Sequence, residues 1–149
     1  MLNASDIMTT EVITVKKDTS LKDLAGIFFD QHINGVPVVD DDGALIGIIC
    51  ESDLIQKDKK LHIPTVVAIF DWVLYLESPK KLEKEIQRIN ATTVEDLYTR
   101  EVFTVDEKTP IDEIATLMTQ KKIYTIPVMD GDRLVGIIGK ADLIGTLVL

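Results

Sequence analysis

The sequence predicts an α+β protein in which one β-α-β-β-α unit occurs twice, because two long segments share the same strand, helix and turn patterns. The first copy runs from Asp6 to Ile55 and the second from Asp96 to Ile144, and they align with a single one-residue gap in the acidic turn at Asp41–Gly43. An internal repeat of this kind indicates one small structural unit built twice. Two like units usually pack about a pseudo-two-fold axis, so equivalent clefts are expected between them.

Each unit is predicted to begin with a short capped turn and then a strand. Asn3 is followed three residues later by Asp6, and Thr93 is followed in the same way by Asp96. A polar side chain at a helix start satisfies a free amide, and an acid in the first turn suits the helix dipole. The β-branched runs that follow, typical of half-buried strands, are Val12–Val15 and Val102–Val105.

A longer helix is predicted next in each unit. In the second unit Thr109 is placed as its cap and Pro110 as its first residue. Apolar residues three and four positions apart lie on one helix face and predict a core stripe. Its members are Leu21, Leu24, Ala25 and Phe28 in the first unit, and Ile111, Ile114, Ala115 and Met118 in the second.

Two apolar strands and a last helix complete each unit. The strands are Val36–Val39 and Leu45–Ile49, then Ile126–Met129 and Leu134–Ile138. The turns between them are acidic and contain glycine, which is typical of hairpins. The final helices are predicted to begin at Ser52-Asp53 and at Ala141-Asp142.

The composition indicates a soluble, cytoplasmic protein that does not bind nucleic acid. The chain has 149 residues, which suits one shared core, whereas each repeat alone is of marginal size. Its net charge of −9 would repel a phosphate backbone. No apolar run is long enough to span a bilayer, no signal pattern is seen, and the single cysteine, Cys50, fits a reducing compartment.

The predicted organisation is a first repeat over residues 1–56, a helical insert or linker over 57–92, and a second repeat over 93–149. Within the insert, Ser78-Pro79 is expected to begin a helix. The apolar segment Val66–Leu76 is predicted to be either a core helix or a surface that docks a second copy of the chain.

With these residues in place, the chain resembles a CBS-domain pair, in which two tandem CBS repeats form one disc-like module. The resemblance covers nearly everything except the insert. It rests on the strand at Pro37 and Pro127, the Gly-Ile-Ile runs at Gly47 and Gly136, and the Asp-Leu-Ile helix starts. It implies a free-standing regulatory module that senses an adenosyl ligand, such as AMP, ADP, ATP or S-adenosylmethionine, and that commonly forms a homodimer.

The resemblance also implies where such a ligand binds. In the family an acid six residues after the strand glycine lies beside the cleft and accepts hydrogen bonds from two ribose hydroxyls; Asp53 and Asp142 match it. Asp is also a favoured cap, so either residue alone is open to a purely structural interpretation.

One cleft is expected to contain Asp142, Ile137 and Tyr124 with Ile13, Ile33 and Asn34, and the other Asp53, Ile48 and Asn34 with Phe103, Ile123 and Tyr124. Ile13 and Phe103 are expected to flank the adenine, while Ile33 and Ile123 are equally open to interpretation as core residues.

The chain departs from the family pattern where phosphates are bound. Family members often carry Ser or Thr three residues after the glycine and a basic residue two before the proline. This chain has Cys50 and Gly139 at the first position, and Gly35 and Thr125 at the second. The remaining basic candidates are His32, Lys122, Arg133 and Lys140. A weakly charged adenosyl ligand, or none, is therefore favoured.

Two other classes of function compete with this one. Catalysis is not expected, because His32, His62 and Cys50 are not in metal-ligand or nucleophile spacing. Neither a cofactor nor a metal is expected, and the adenosyl compound would act only as an effector. The alternative function is a ligand-free interaction scaffold that acts through dimerisation on a regulated protein which the sequence does not name.

Overall fold

The computed structural model describes residues 1–55 and 92–148, and elements are numbered within these ranges. The helices are α1 Ala4–Ile7, α2 Leu21–Gln31, α3 Glu51–Ile55, α4 Val94–Leu97, α5 Ile111–Lys121 and α6 Lys140–Gly145, which continues into a 3₁₀ turn at Thr146–Val148. The strands are β1 Gly35–Val39, β2 Leu45–Cys50, β3 Val105–Asp106, β4 Thr125–Asp130 and β5 Arg133–Gly139.

Each repeat contains an antiparallel hairpin that carries one more extended segment on its edge. β1 pairs with β2, and β4 pairs with β5, with equivalent registers such as Pro37 opposite Ile48 and Pro127 opposite Ile137. β3 joins β4 in parallel, giving the order β3-β4-β5. The predicted α+β fold, with its hairpins and acidic turns, is confirmed.

The strand predicted to open each repeat is much shorter than expected. Residues 12–14 lie outside any strand, and Val15 alone bridges to Val38. In the second repeat only Val105–Asp106 pairs. A ladder needs a partner within hydrogen-bonding distance, and here the edge of the hairpin is reached only at the end of each β-branched run. The earlier residues instead turn toward the space between the repeats.

The starts of the helices also differ by one residue from the prediction. α5 begins at Ile111 rather than at Pro110, which occupies the cap position. Thr109 does not cap it, because its hydroxyl accepts from the Asp106 amide at 3.2 Å and so closes the preceding turn. Most large residues of the predicted apolar stripe are buried, but Ile111 is half-buried, and Ala25 and Ala115 are exposed.

The two repeats exchange their first helices, so that each core contains residues of both. Ala4 of α1 is fully buried in the core of the second repeat, together with Ile114 and Ile138. Reciprocally, Leu97 of α4 is fully buried in the core of the first repeat, beside Leu24. A shared core was expected from the size of the repeats, and this exchange is its structural basis.

Backbone bonds at the ends of the exchanged segments fix this arrangement. Thr9 and Ile137 exchange both backbone hydrogen bonds at 2.9 and 3.0 Å, and Thr99 and Ile48 do so at 2.8 and 2.9 Å. The strand glycines allow this approach, since a Cβ on Gly47 would lie 2.7 Å from the Thr99 carbonyl oxygen. In the same way, a Cβ on Gly136 would lie 2.8 Å from Cγ of Met8. Glycine is therefore required at these sites by the close approach of another backbone or side chain.

The insert predicted over 57–92, including the helix at Ser78-Pro79 and the apolar segment Val66–Leu76, lies outside the described residues apart from Thr92. Within the part of the chain that is described, no helix is long and apolar enough to cross a membrane.

Candidate functional site

Two clefts lie between the repeats, related by the internal pseudo-symmetry. The larger, about 770 Å³, is called here the Asp142 cleft and is lined by Asp142 and Ile137 of the second repeat and by Ile13 and Ile33 of the first. The smaller, about 510 Å³, is called the Asp53 cleft and is lined by Asp53 and Ile48 with Phe103 and Ile123. Both volumes lie in the range of about 300–1,000 Å³ that is usual for small-molecule sites.

Both predicted ribose-binding carboxylates act as helix caps through one oxygen. Oδ2 of Asp53 accepts from the Cys50 amide, and Oδ2 of Asp142 accepts from the Gly139 amide, each at 2.7 Å. The bonds arise because the last helix of each repeat begins directly after a strand, which places the acid in its first turn. Each acid thus has a structural role through one carboxylate oxygen, but it is the third residue of its helix and not the cap residue that the sequence suggested.

The second oxygen distinguishes the two acids. Oδ1 of Asp53 accepts from the Thr99 hydroxyl at 2.9 Å, and the side chain is buried, with only 4% of the residue exposed. Asp142 is half-buried, and among the described residues its Oδ1 has no hydrogen-bond partner. Of these two acids, only Asp142 therefore has a carboxylate oxygen without a hydrogen-bond partner among the described residues.

A polar pair stands between the two clefts. The Thr125 hydroxyl donates to Oδ1 of Asn34 at 2.9 Å, and both residues line both clefts. The backbones approach closely here, since a Cβ on Gly35 would lie 2.7 Å from the Thr125 hydroxyl oxygen. A side chain at Gly35, one of the two positions at which the family pattern has a basic residue, would therefore collide with Thr125.

Most predicted site residues lie where they were expected. Asp142, Ile137, Ile13, Ile33 and Asn34 line one cleft, and Asp53, Ile48, Asn34, Phe103, Ile123 and Tyr124 line the other. Ile33 and Ile123 also pack on the buried cores, so they have a packing role, and their contact with a ligand stays a prediction.

Tyr124 was expected in both clefts but lines only the Asp53 cleft. Its side chain is 47% exposed, and Nζ of Lys140 lies 5.0 Å from the centre of its ring. The sequence position was correctly placed at the boundary between the repeats. The direction of the ring, however, could not be read from the sequence.

The clefts are acidic rather than basic. The Asp142 cleft has Glu11, Glu51 and Asp142 against Lys140 and His32. The Asp53 cleft has Glu51, Asp53 and Glu101 against Lys122. Of the basic candidates, Arg133 lies elsewhere and pairs with Asp130 at 3.2 Å. Among the residues that the structure describes, neither cleft has the clustered Arg or Lys that phosphate groups require.

Cys50 borders the Asp53 cleft as a protonated thiol. Burial, together with the charges of Asp53 and Glu51, raises its pKa from 9.0 to about 12. A thiolate is the reactive form of cysteine, so this side chain is inert near neutral pH. Among the described residues, no cluster of three or more His, Cys, Asp or Glu side chains is arranged to hold a metal ion.

Thr9 and Thr99 were not predicted as residues of the clefts. They occupy the same register of the two repeats, and each borders one cleft beside its acid. Their matched position was visible in the alignment of the repeats. Their role was not, because a Thr in an irregular segment has no local pattern that indicates which distant residue it contacts.

Comparison with known proteins identifies the family. The sequence pattern of the CBS domain matches residues 4–60 and again residues 94–149. An uncharacterized protein of Methanocaldococcus jannaschii, MJ1426, is 32% identical over 153 aligned residues, which cover 96% of this chain and 89% of that protein. The chain belongs to the CBS domain family, as a tandem pair of repeats.

Two further similarities are to a plant CBS domain-containing protein and to a solved CBS domain pair. The chloroplastic CBS domain-containing protein CBSX1 of Arabidopsis thaliana is 27% identical over 139 residues; the match covers 87% of this chain and 56% of that protein. The crystal structure of the CBS domain pair of protein MJ0100, in complex with 5′-methylthioadenosine and S-adenosyl-L-methionine, superposes with a TM-score of 0.70. It is 27% identical, and the superposition covers 99% of this chain and 96% of that one.

Proposed function

We propose that this protein is a regulatory module that binds an adenosyl compound between its two CBS repeats. The observation that carries the proposal is the Asp142 cleft, in which an unoccupied carboxylate oxygen stands opposite apolar walls. The solved CBS pair of MJ0100, which contains two adenosyl compounds, supports the same choice of ligand.

The two parts of an adenosyl group suit the two parts of the cleft. Ile13, Ile33 and Ile137 offer apolar surface to an adenine ring, whose burial requires no specific polar partner. Oδ1 of Asp142 would accept from the ribose hydroxyls, and hydrogen bonds to a charged acceptor are about twice as strong as neutral ones. The apolar walls thus supply affinity, and the carboxylate supplies selection for a ribose.

The charge of the cleft favours a ligand without a polyphosphate group. Within the described lining of the cleft, the carboxylates of Glu11, Glu51 and Asp142 outnumber the basic side chains of Lys140 and His32. A triphosphate would bring further negative charge into an acidic site and would be repelled. Neutral adenosines, and adenosyl compounds with a positive charge, suit these residues better than ATP.

Binding at this place can act on the arrangement of the repeats. The cleft is walled by both of them, so a ligand that prefers one relative position of the repeats shifts the population toward it. This mechanism assigns no catalytic step to the chain. Its output is a change in the surface that a regulated protein contacts.

A thermal-shift panel tests the proposal directly. The probes are adenosine, 5′-methylthioadenosine, S-adenosylmethionine, AMP and ATP, each against the wild-type chain and the Asp142→Asn variant. A ligand at about 100 times its Kd adds about 2.7 kcal/mol, which raises the melting temperature by roughly 5–10 °C in a chain of this size. We expect the neutral and cationic probes to give the largest shifts, and Asp142→Asn to reduce them.

Asn is the informative replacement because it retains an acceptor for the Gly139 amide while it removes the charge. If no adenosyl probe shifts the wild-type chain, the proposal is wrong. If the Asn variant responds as the wild type does, ligand binding stands but the role of Asp142 does not.

A scaffold that acts through homodimerisation is the second candidate function. Large apolar side chains are exposed at the C-terminal end of the described chain, at Ile144, Leu147 and Val148. Exposed apolar patches commonly mark contacts with other proteins. Light scattering over a range of concentrations tests it: we expect twice the chain mass of 16.6 kDa, and the single mass at every concentration would exclude the dimer.

A further inference from the structure

We propose that the two clefts are unequal: the Asp142 cleft takes the ligand, and Thr99 closes the Asp53 cleft to it. The inference rests on the proposed function and specifies its site and stoichiometry, one adenosyl group per chain. Thr99 is then a specificity-determining residue, although it touches no ligand itself.

The hydrogen bonds of the two acids carry the argument. Both lose one oxygen to a backbone amide of the helix start, at 2.7 Å. Asp53 loses its other oxygen to the Thr99 hydroxyl at 2.9 Å, whereas Thr9, the counterpart of Thr99, makes no such bond to Asp142 among the described residues. A ribose at Asp53 would therefore compete with the Thr99 hydroxyl at a buried carboxylate, whereas a ribose at Asp142 would meet an oxygen that has no hydrogen-bond partner among the described residues.

The surroundings of the Asp53 cleft point the same way. Its volume of about 510 Å³ is smaller than the 770 Å³ of the other cleft, and Asp53 is buried whereas Asp142 is half-buried. Nζ of Lys121 lies 5.3 Å from the centre of the Phe103 ring, the side chain expected to face the adenine. The two groups expected to bind a nucleoside in this cleft thus already have partners within the chain, Thr99 for Asp53 and Lys121 for Phe103.

The position of Thr99 explains why this bond is maintained. The Thr99 backbone exchanges two hydrogen bonds with Ile48 of β2, at 2.8 and 2.9 Å. The hydroxyl is therefore held next to the helix that follows β2, where Asp53 lies. Because both backbone bonds of Thr99 already hold its hydroxyl in place, this hydroxyl loses little conformational freedom when it donates to Asp53. A competing ribose hydroxyl must lose the freedom of the unbound ligand.

Isothermal titration calorimetry with 5′-methylthioadenosine as the probe tests the inference on the whole chain. The wild type should bind one equivalent, and Asp142→Asn should weaken that binding by about ten- to a hundred-fold, the value of a charged hydrogen bond. Thr99→Val keeps the shape of the side chain and removes the donor, so it should add a second, weaker equivalent. Thr99→Ser keeps the hydroxyl and serves as the matched control, with one equivalent expected.

The double variant Thr99→Val/Asp53→Asn assigns the second equivalent to a cleft, since it should return the stoichiometry to one. Circular dichroism of each variant confirms that it is folded. If Thr99→Val does not fold, the wild-type stoichiometry and the Asp142→Asn variant still decide between equal and unequal clefts.

Three results would overturn the inference in different ways. Two equivalents in the wild type would leave adenosyl binding in place and show that the clefts are equal. One equivalent in Thr99→Val would leave the clefts unequal but remove Thr99 as the cause. No heat of binding with any variant, together with no thermal shift from the panel, would remove the proposed function and this inference with it.

Discussion

The Cys50 thiol shows how a single residue is changed by its position at the end of β2. The same residue type on a surface would titrate near 9.0, but burial and the nearby carboxylates of Asp53 and Glu51 raise its pKa to about 12. A raised thiol pKa means that the unfolded chain loses this proton at a lower pH than the folded one. The thiol therefore leaves the free energy of unfolding unchanged below pH 9 and lowers it between pH 9 and about pH 12.

We expect this fall to be largely removed in a Cys50→Ala variant. One proton released on unfolding corresponds to a slope of about 1.4 kcal/mol per pH unit. Urea unfolding of both proteins from pH 8 to pH 11 measures it, and the difference between them cancels the lysines and tyrosines that also titrate there. Parallel stability curves for the two proteins would show that the thiol is not buried in this way.

Gly35 is constrained by contact rather than by its backbone angles. A Cβ added there would lie 2.7 Å from the Thr125 hydroxyl oxygen and 2.9 Å from the Cys50 sulfur. Both neighbours belong to the region between the clefts, where β1 of one repeat meets β4 of the other. The residue therefore determines how closely the repeats approach.

We expect Gly35→Ala to lower the free energy of unfolding by about 1–3 kcal/mol, the usual effect of overpacking. Gly26→Ala is the matched control, because Gly26 lies within α2 and a Cβ there meets nothing within 4 Å. Alanine in a helix interior should stabilise by up to about 1 kcal/mol. Urea unfolding distinguishes the two, and equal effects would contradict the close approach of the repeats.

At the scale of elements, the exchange of α1 and α4 links the two repeats. Helices of four residues are too short to be stable alone and depend on the surface they cover. Each covers the hairpin of the other repeat, and Val94, Leu97 and Tyr98 lie in the first core. Because the segments that follow these helices also border the clefts, the core and the candidate site depend on the same exchange.

We expect Leu97→Ala to destabilise the whole protein by about 2–5 kcal/mol, as fully buried leucines do when truncated. Glu95→Ala, on the exposed side of α4, is the control and should change stability by less than about 1 kcal/mol. The measurement is urea unfolding followed both by circular dichroism and by tyrosine fluorescence. A Leu97→Ala effect as small as that of the control would show that α4 does not pack in the first core.

For the whole molecule, the exchange predicts that neither repeat folds alone. Residues 1–56 by themselves lack Val94, Leu97 and Tyr98, which complete the core of the first repeat. They also expose Ala4 of α1, which is buried in the core of the second repeat. A domain of this size already has a marginal core when it is complete. The two repeats should therefore unfold as one cooperative unit.

Expression of residues 1–56 tests this expectation. The fragment should be unfolded or self-associated, while the full chain shows a single unfolding transition with coincident probes. A monomeric fragment with sharp unfolding would contradict the exchange as a requirement for folding.

The local features of this fold could be predicted from sequence because they arise from contacts between near neighbours. The hairpin turns need only an acidic and glycine-containing stretch, and Gly43 and Gly131 adopt the positive φ values that such turns use. The repeat predicted equivalent clefts, and the register of Asp53 and Asp142 after the strand glycines placed both acids beside them. The turns and the repeat depend on spacing alone, whereas the place of the two acids beside the clefts was implied by the resemblance to the CBS-domain pair.

What only the tertiary structure decided depends on contacts between residues far apart in the chain. The short opening strands, the exchange of α1 and α4, and the ring of Tyr124 under Lys140 all follow from which surfaces meet. The difference between the two acids is of the same kind, because Thr99 is 46 residues away from Asp53 in the chain. An internal repeat determines that two sites exist, but the bond that makes them unequal forms only when the repeats pack together.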